Sequence, residues 1–171
     1  MSARQLLLLR HAKSSHGDPE LADHERPLAP RGKRAAAAMG RYMHGHELNP
    51  ALVLCSSAVR ARKTLDAVID GLDASPEVRI ESELYEASPR GLLEHLRGID
   101  EEVPSAMLVG HNPAIERLAL DLASDGPDLA DLASKYPTGA LAVLAFHGTW
   151  GDLDPDGARL VAFVKPRDLD R

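Results

Sequence analysis

Three short apolar runs in this chain end on residues that could do chemistry. Gln5 to Leu9 runs into Arg10-His11, Leu52 to Cys55 into Ser56-Ser57 with Arg60 following, and Ala106 to Val109 into Gly110-His111-Asn112-Pro113. In open α/β sheets ligands sit beyond the carboxyl ends of the strands, so three such ends would bring two His and two Arg to one rim. Guanidinium forks bind phosphoryl oxygens in pairs and offset their charge. A neutral imidazole can attack phosphorus in line and carry the group as phosphohistidine. A second imidazole can donate hydrogen bonds to the same oxygens as charge builds up. A helix amino terminus after Asn112 would add N–H donors. These are the ingredients of phosphoryl transfer without a metal.

The elements that must position these residues follow from the hydrophobic pattern. The three runs, together with Ala140 to Phe146, Leu160 to Val164 and the weaker Val78 to Ile80, read as strands. Continuous rather than alternating apolarity is what a strand covered on both faces requires. Between them Arg31 to His46, Val59 to Leu72, Pro89 to Arg97 and Pro113 to Ala123 carry Ala and Leu at helical spacing, with Pro89 and Pro113 as start signals. Alternating strand and helix predicts an α/β three-layer sandwich around a largely parallel sheet. The last two strands, joined by a Gly- and Asp-rich turn, read as an antiparallel edge pair. His16 to Pro30 reads as a surface loop over the end of the first strand, and Asp121 to Asp131 as a solvated helix end and loop.

Length and composition bound the rest. At 171 residues the chain is expected to form one domain over 1–171. It has 44% hydrophobic, 27% charged and only 4% aromatic residues, so Leu, Val and Ala must build the core. A formal charge of −6 argues against a broad nucleic-acid surface but leaves room for a local basic pocket. The single cysteine, Cys55, excludes a disulfide framework. No apolar run is long enough to span a membrane, and a soluble, cytoplasmic protein is expected.

Competing motifs are weaker. Cys55 is separated from Arg60 and Arg62 by four and six intervening residues, where a cysteine phosphatase needs five, and reads as a buried strand residue. His44-x-His46 lacks acidic partners in a metal-ligand pattern. Asp152, Asp154 and Asp156 lack the later positions of a calcium loop. His16, His24, His95 and His147 have no partner legible in the sequence. Taken singly, His11 could be a strand-end residue satisfied by carbonyls, Arg60 a solvated helix residue, and Gly110 to Pro113 a plain helix cap.

Taken together, these motifs resemble the histidine phosphatase superfamily, which includes the phosphoglycerate mutases. Leu9-Arg10-His11-Ala12 corresponds to the family's Arg-His-Gly element. Ser56-Ser57-Ala58-Val59-Arg60-Ala61-Arg62-Lys63-Thr64 matches its Ser-rich turn and Arg-Ala-x-x-Thr, and Val109 to Pro113 its Val-Gly-His-Asn-Pro. Order and spacing, with Arg26-Pro27-Leu28, Arg31-Gly32 and Leu84-Tyr85-Glu86-Ala87, are similar to the short SixA-type branch of phosphohistidine phosphatases. The resemblance implies a phosphoglycerate mutase-like fold, His11 as the phosphate-accepting nucleophile, Arg10 and Arg60 as phosphate clamps, and His111 as the second imidazole. It implies no metal and no organic cofactor. By likeness to the mutases Glu86 takes the place of a general acid, with Glu83 behind it. An imidazole leaving group needs that acid less than an alkoxide does.

Three functions therefore stand open at the level of sequence. The first is a phosphatase that removes phosphate from protein phosphohistidine, with that phosphorylated protein as its partner. The second is a small-molecule phosphomonoesterase of the same superfamily. The third is a phosphate-binding or interaction module without turnover.

Overall fold

The computed structural model describes residues 3–169. Seven strands form one mixed sheet: β1 (Arg4–Arg10), β2 (Leu52–Ser56), β3 (Glu77–Glu81), β4 (Ser105–Gly110), β5 (Ala123–Asp125), β6 (Leu141–Phe146) and β7 (Ala158–Val164). Their spatial order is β3-β2-β4-β1-β6-β7-β5. The first four are mutually parallel, β6 runs antiparallel to both β1 and β7, and β5 pairs parallel with β7. The helices are α1 (Pro30–Gly45), α2 (Val59–Leu72), α3 (Pro89–Arg97), α4 (Ala114–Leu122) and α5 (Leu129–Ser134).

Strand β1 shows why the pattern produces three layers. Successive side chains of a strand point to opposite faces. Leu7 and Leu9 pack under α1 and α2 with Met39, Met43, Leu65 and Val68, while Leu6 and Leu8 pack under α3, α4 and α5 with Leu92, Leu96, Leu118 and Leu132. All four leucines are fully buried. At the sheet edge β3 is covered far less, with Val78 and Ile80 38% and 48% exposed, which explains its weaker apolar signal. Its alternating Glu77, Arg79 and Glu81 discourage pairing with another chain.

The expected parallel core and antiparallel β6–β7 pair are present. The segment Asp121 to Asp131 differs from its reading as a solvated loop, because β5 and the start of α5 lie within it. A three-residue strand and a six-residue helix are too short to print a period in the sequence. Gly126 joins them at φ +143°, where a Cβ would stand 2.2 Å from the carbonyl oxygen of Leu160. Only glycine fits there without strain.

The loop that follows β1 is tied back to the sheet's carboxyl edge. Ser14 bridges Leu28, and the Ala29 N–H donates to the Lys13 carbonyl at 2.9 Å. Helix α1 begins so close to this turn that a Cβ on Gly32 would meet the same carbonyl oxygen at 2.1 Å. The glycine of the Arg31-Gly32 pair thus has a packing cause.

Candidate active site

The carboxyl ends of β1, β2 and β4 are adjacent in the sheet, and they deliver the predicted residues to one place. His11 follows β1 and is 7% exposed; His111 follows β4; their ring centroids lie 5.1 Å apart at 53°. The Nδ1 of His11 is 2.7 Å from the Ala12 carbonyl oxygen. A carbonyl can only accept, so Nδ1 carries the proton and Nε2 keeps its lone pair. Burial, with the charges of Arg60, Arg10 and Arg26, pushes the His11 imidazole down to about 4, against a hydrogen bond to Ala12 that acts the other way. The ring is neutral at pH 7.

Ala12 stands where the family pattern has glycine. It is fully buried and outside the positive-φ region, so its methyl is accommodated without strain. Its N–H donates to Thr64 Oγ1 at 2.9 Å, and Thr64 in turn donates to the Arg60 carbonyl at 2.7 Å. The threonine of Arg-Ala-x-x-Thr therefore locks the His11 turn to α2.

His111 receives its orientation from Ser56, whose Oγ lies 2.8 Å from Nε2. The same oxygen already accepts the Ala58 N–H at 3.2 Å. The hydroxyl proton has no other acceptor among the described residues and goes to His111 Nε2, which leaves the imidazole proton on Nδ1. That Nδ1 is buried and has no partner among the described residues. Burial, and then the neighbouring His11 and Arg60, push His111 down to about 3.

The arginines differ in how they are held. Arg10 donates to the Tyr136 carbonyl at 2.8 Å, and its buried Nε has no partner among the described residues. Burial lowers its pKa, opposed by Glu116. Arg60, 8% exposed, donates to the Asp23 carbonyl at 2.7 Å and to Asp23 Oδ2 at 3.0 Å. The same Oδ2 accepts the Tyr85 hydroxyl at 2.5 Å, and Arg26 donates to Oδ1 at 2.8 Å. The Tyr85 hydrogen bond first, and then Arg60, hold the Asp23 carboxyl down to about 2.

Glu86 is exposed, and it lines a cavity of about 240 Å³ together with Tyr85, Asn112 and His111. It makes no hydrogen bond to His11, Arg10 or Arg60. Glu83 is also exposed, and its carboxylate clusters with Glu81 and His95. Cys55 is a buried strand residue whose thiol burial pushes up to about 12.

Several site residues escaped the sequence. Asp23 sits in the short helical turn Asp23–Glu25, with nothing local to mark it. His24, for which the sequence offers no partner, reaches Ser57 Oγ at 2.8 Å and stacks edge-on against Tyr85. His16 contacts Arg26 at 3.1 Å, and His95 approaches Glu81 at 3.5 Å. Ser56 was visible only as part of the Ser-rich turn. Its place at the last position of β2, beside the β4 end, could have suggested a role. Ser14 is engaged by Arg26, and Asn112 is committed to Glu116 and the Tyr136 carbonyl.

The seven-stranded mixed sheet, whose parallel strands β1, β2 and β4 gather two neutral imidazoles among arginines at their carboxyl ends, has a phosphoglycerate mutase-like α/β fold. The chain belongs to the histidine phosphatase superfamily, branch 1, whose family model matches residues 6–135. It is 41% identical over 163 residues to an uncharacterised protein of Mycobacterium tuberculosis, spanning 93% of this chain and 100% of that relative. It is 30% identical over 112 residues to the phosphohistidine phosphatase SixA of Escherichia coli, spanning 63% of this chain and 70% of the relative. A candidate phosphohistidine phosphatase SixA from Nakamurella multipartita has a similar structure, with a TM-score of 0.85 at 32% identity, covering 97% of this chain and 98% of that one. Among the described residues no helix is long and apolar enough to cross a membrane.

Proposed function

We propose that this protein is a phosphatase that works through a covalent phosphohistidine on His11 and takes phosphoryl groups from phosphohistidine in proteins. The observation that carries the chemistry is the Nδ1–H bond of His11 to Ala12, which aims a lone pair from Nε2 on an uncharged ring. Nε2 attacks phosphorus as the bond to the leaving group breaks. Because Nδ1 keeps its proton, the phosphorylated ring is an imidazolium, so it can later depart as a neutral imidazole. Water then attacks phosphorus, the P–Nε2 electron pair returns to His11, and the proton of the water leaves with inorganic phosphate. Arg10 and Arg60 hold the phosphoryl oxygens, and the His111 Nδ1–H is the donor that meets them as charge accumulates.

The leaving group favours phosphohistidine. A substrate imidazole protonated at its free nitrogen departs neutral and needs no acid from the enzyme. An alkoxide needs a proton at the moment the bond breaks. Glu86 is exposed and bonded to none of the central residues. The likeness to the Escherichia coli phosphohistidine phosphatase supports the same substrate class.

The second reading, a small-molecule phosphomonoesterase, draws support from Glu86 lining the same cavity as His111. Wild type and His11→Ala are assayed on a phosphohistidine-bearing protein and on an aryl phosphate, with chelator present. Activity that survives chelation, is lost in His11→Ala and prefers the phosphoprotein is expected. Activity retained by His11→Ala overturns the mechanism. A preference for the ester that Glu86→Gln abolishes would make the second reading the correct one, and no hydrolysis of either would leave a phosphate-binding module.

A further inference from the structure

Beside the site, an acidic protein carries a concentrated patch of positive charge. Two adjoining hollows of about 440 and 680 Å³ share Arg31, Ala35, Pro166 and Arg167. Lys13, Arg31, Lys135 and Arg167 line the first, and Arg34 and Arg41 extend the second along α1. All six are exposed, and none forms an ion pair among the described residues. Elsewhere Arg79, Arg97 and Arg159 each have a carboxylate, whereas Lys33, Arg62 and Arg117 are unpaired among the described residues but stand outside both hollows. The acidic lining residue, Asp131, is itself neutralised by Lys165 at 2.9 Å. Six cations without a carboxylate partner among the described residues, on one face of a chain of net charge −6, make a local field opposite to the molecule's own.

The shape of this patch narrows the ligand. Arg31, Arg34 and Arg41 are spaced by three and seven residues, so they share one side of α1. They span about 15 Å along the helix. Ala35, Ala37 and Ala38 lie between them and leave a trough rather than a closed cup. That length suits an extended segment better than a compact anion. No aromatic side chain lines either hollow, so nothing there would stack on a base. One end leads to the catalytic turn. Lys13 is two residues from His11, and Gly139, next to the lining residue Thr138, donates its N–H to the carbonyls of Arg10 and His11 at 3.1 and 2.9 Å.

We propose that this groove docks an acidic segment of the phosphorylated protein next to its phosphohistidine. The proposal rests on the reading of the site as a protein phosphohistidine phosphatase.

The test uses Arg34→Glu/Arg41→Glu and its milder counterpart Arg34→Gln/Arg41→Gln, at exposed positions that line neither the hollow beside Lys13 nor the cavity beside His111. A labelled twelve-residue Asp/Glu peptide should bind wild type with an affinity that falls with salt, and bind the charge-reversed variant about tenfold more weakly. The KM for an acidic phosphohistidine protein should rise by a similar factor with kcat unchanged, while hydrolysis of free phosphoramidate is untouched. The Gln variant should fall between. No peptide binding to wild type, binding indifferent to both variants, or an equal loss on phosphoramidate would each overturn the docking role. Tighter binding of a twelve-nucleotide DNA strand than of the peptide would overturn it in favour of a nucleic-acid surface. Peptide binding that depends on Arg34 and Arg41, without turnover of any phosphohistidine protein, would keep the groove and remove the proposed substrate.

Discussion

Arg60 is gripped by Asp23 from a loop 37 residues earlier in the chain, through the backbone carbonyl at 2.7 Å and the carboxylate at 3.0 Å. An anion entering the site must share that guanidinium with a carboxylate already bonded to it. The Asp23→Asn variant keeps the backbone contact and removes the negative charge. Competitive inhibition by inorganic phosphate should then tighten by about three- to tenfold, a modest factor because the carboxylate is half in solvent. An unchanged or weaker inhibition constant would mean that Asp23 serves to aim Arg60.

Depressed imidazoles set the pH behaviour. With His11 pushed down to about 4 and His111 to about 3, both are neutral through the range where a free histidine titrates. The acid limb of kcat/KM should therefore fall near pH 4, well below the usual imidazole value; a limb at pH 6 to 7 would contradict the burial argument. Stability has a linked sign. The unfolded chain binds these protons more tightly, so stability is full above the unfolded value and is lost as pH falls from about 6.5 through about 4 for His11 and about 3 for His111. In His11→Gln that decline should be shallower, as read by denaturant unfolding at a series of pH values.

Ser56→Ala removes the hydroxyl that sets the His111 tautomer. The imidazole proton can then sit on either nitrogen, and the proposed donor to the phosphoryl group is lost for part of the time. A fall in kcat of about tenfold is expected, with a smaller change in KM. Ser56→Thr should recover part of the rate if the hydroxyl matters. Equal losses in both variants would point to packing instead.

Thr64→Val preserves shape but leaves the buried Ala12 N–H without its acceptor. An unsatisfied buried donor costs about 1–3 kcal/mol, so Tm should drop by several degrees. Phosphorylation of His11, followed by the acid-labile label, should slow as well, because the turn carrying the imidazole loses its tie to α2. A variant as stable and as active as wild type would show that the Ala12 N–H is satisfied in some other way.

Much of the architecture was legible because burial on both faces leaves a strong one-dimensional trace. The continuous run Leu6 to Leu9 announced a covered strand, and Pro89 marked the first residue of its helix. Val78 to Ile80 was faint because edge strands bury little, and β5 and α5 were silent because they are shorter than any period that would reveal them.

The same division holds at the candidate site. Arg10, His11, Arg60 and His111 could be singled out because each lies at a strand's carboxyl end or within a few residues after it, where chain connectivity alone places a residue at the rim. Their partners were not found. Asp23 on Arg60, Ser56 on His111 and Tyr85 on Asp23 are contacts across 37, 55 and 62 residues. No local periodicity encodes such distances. By itself the sequence determined which groups could carry a phosphoryl transfer and on which kind of sheet they stand. Which nitrogen keeps its proton, which guanidinium is already engaged and where the unpaired cations gather were decided only by tertiary structure, because hydrogen bonding and charge depend on separation in space.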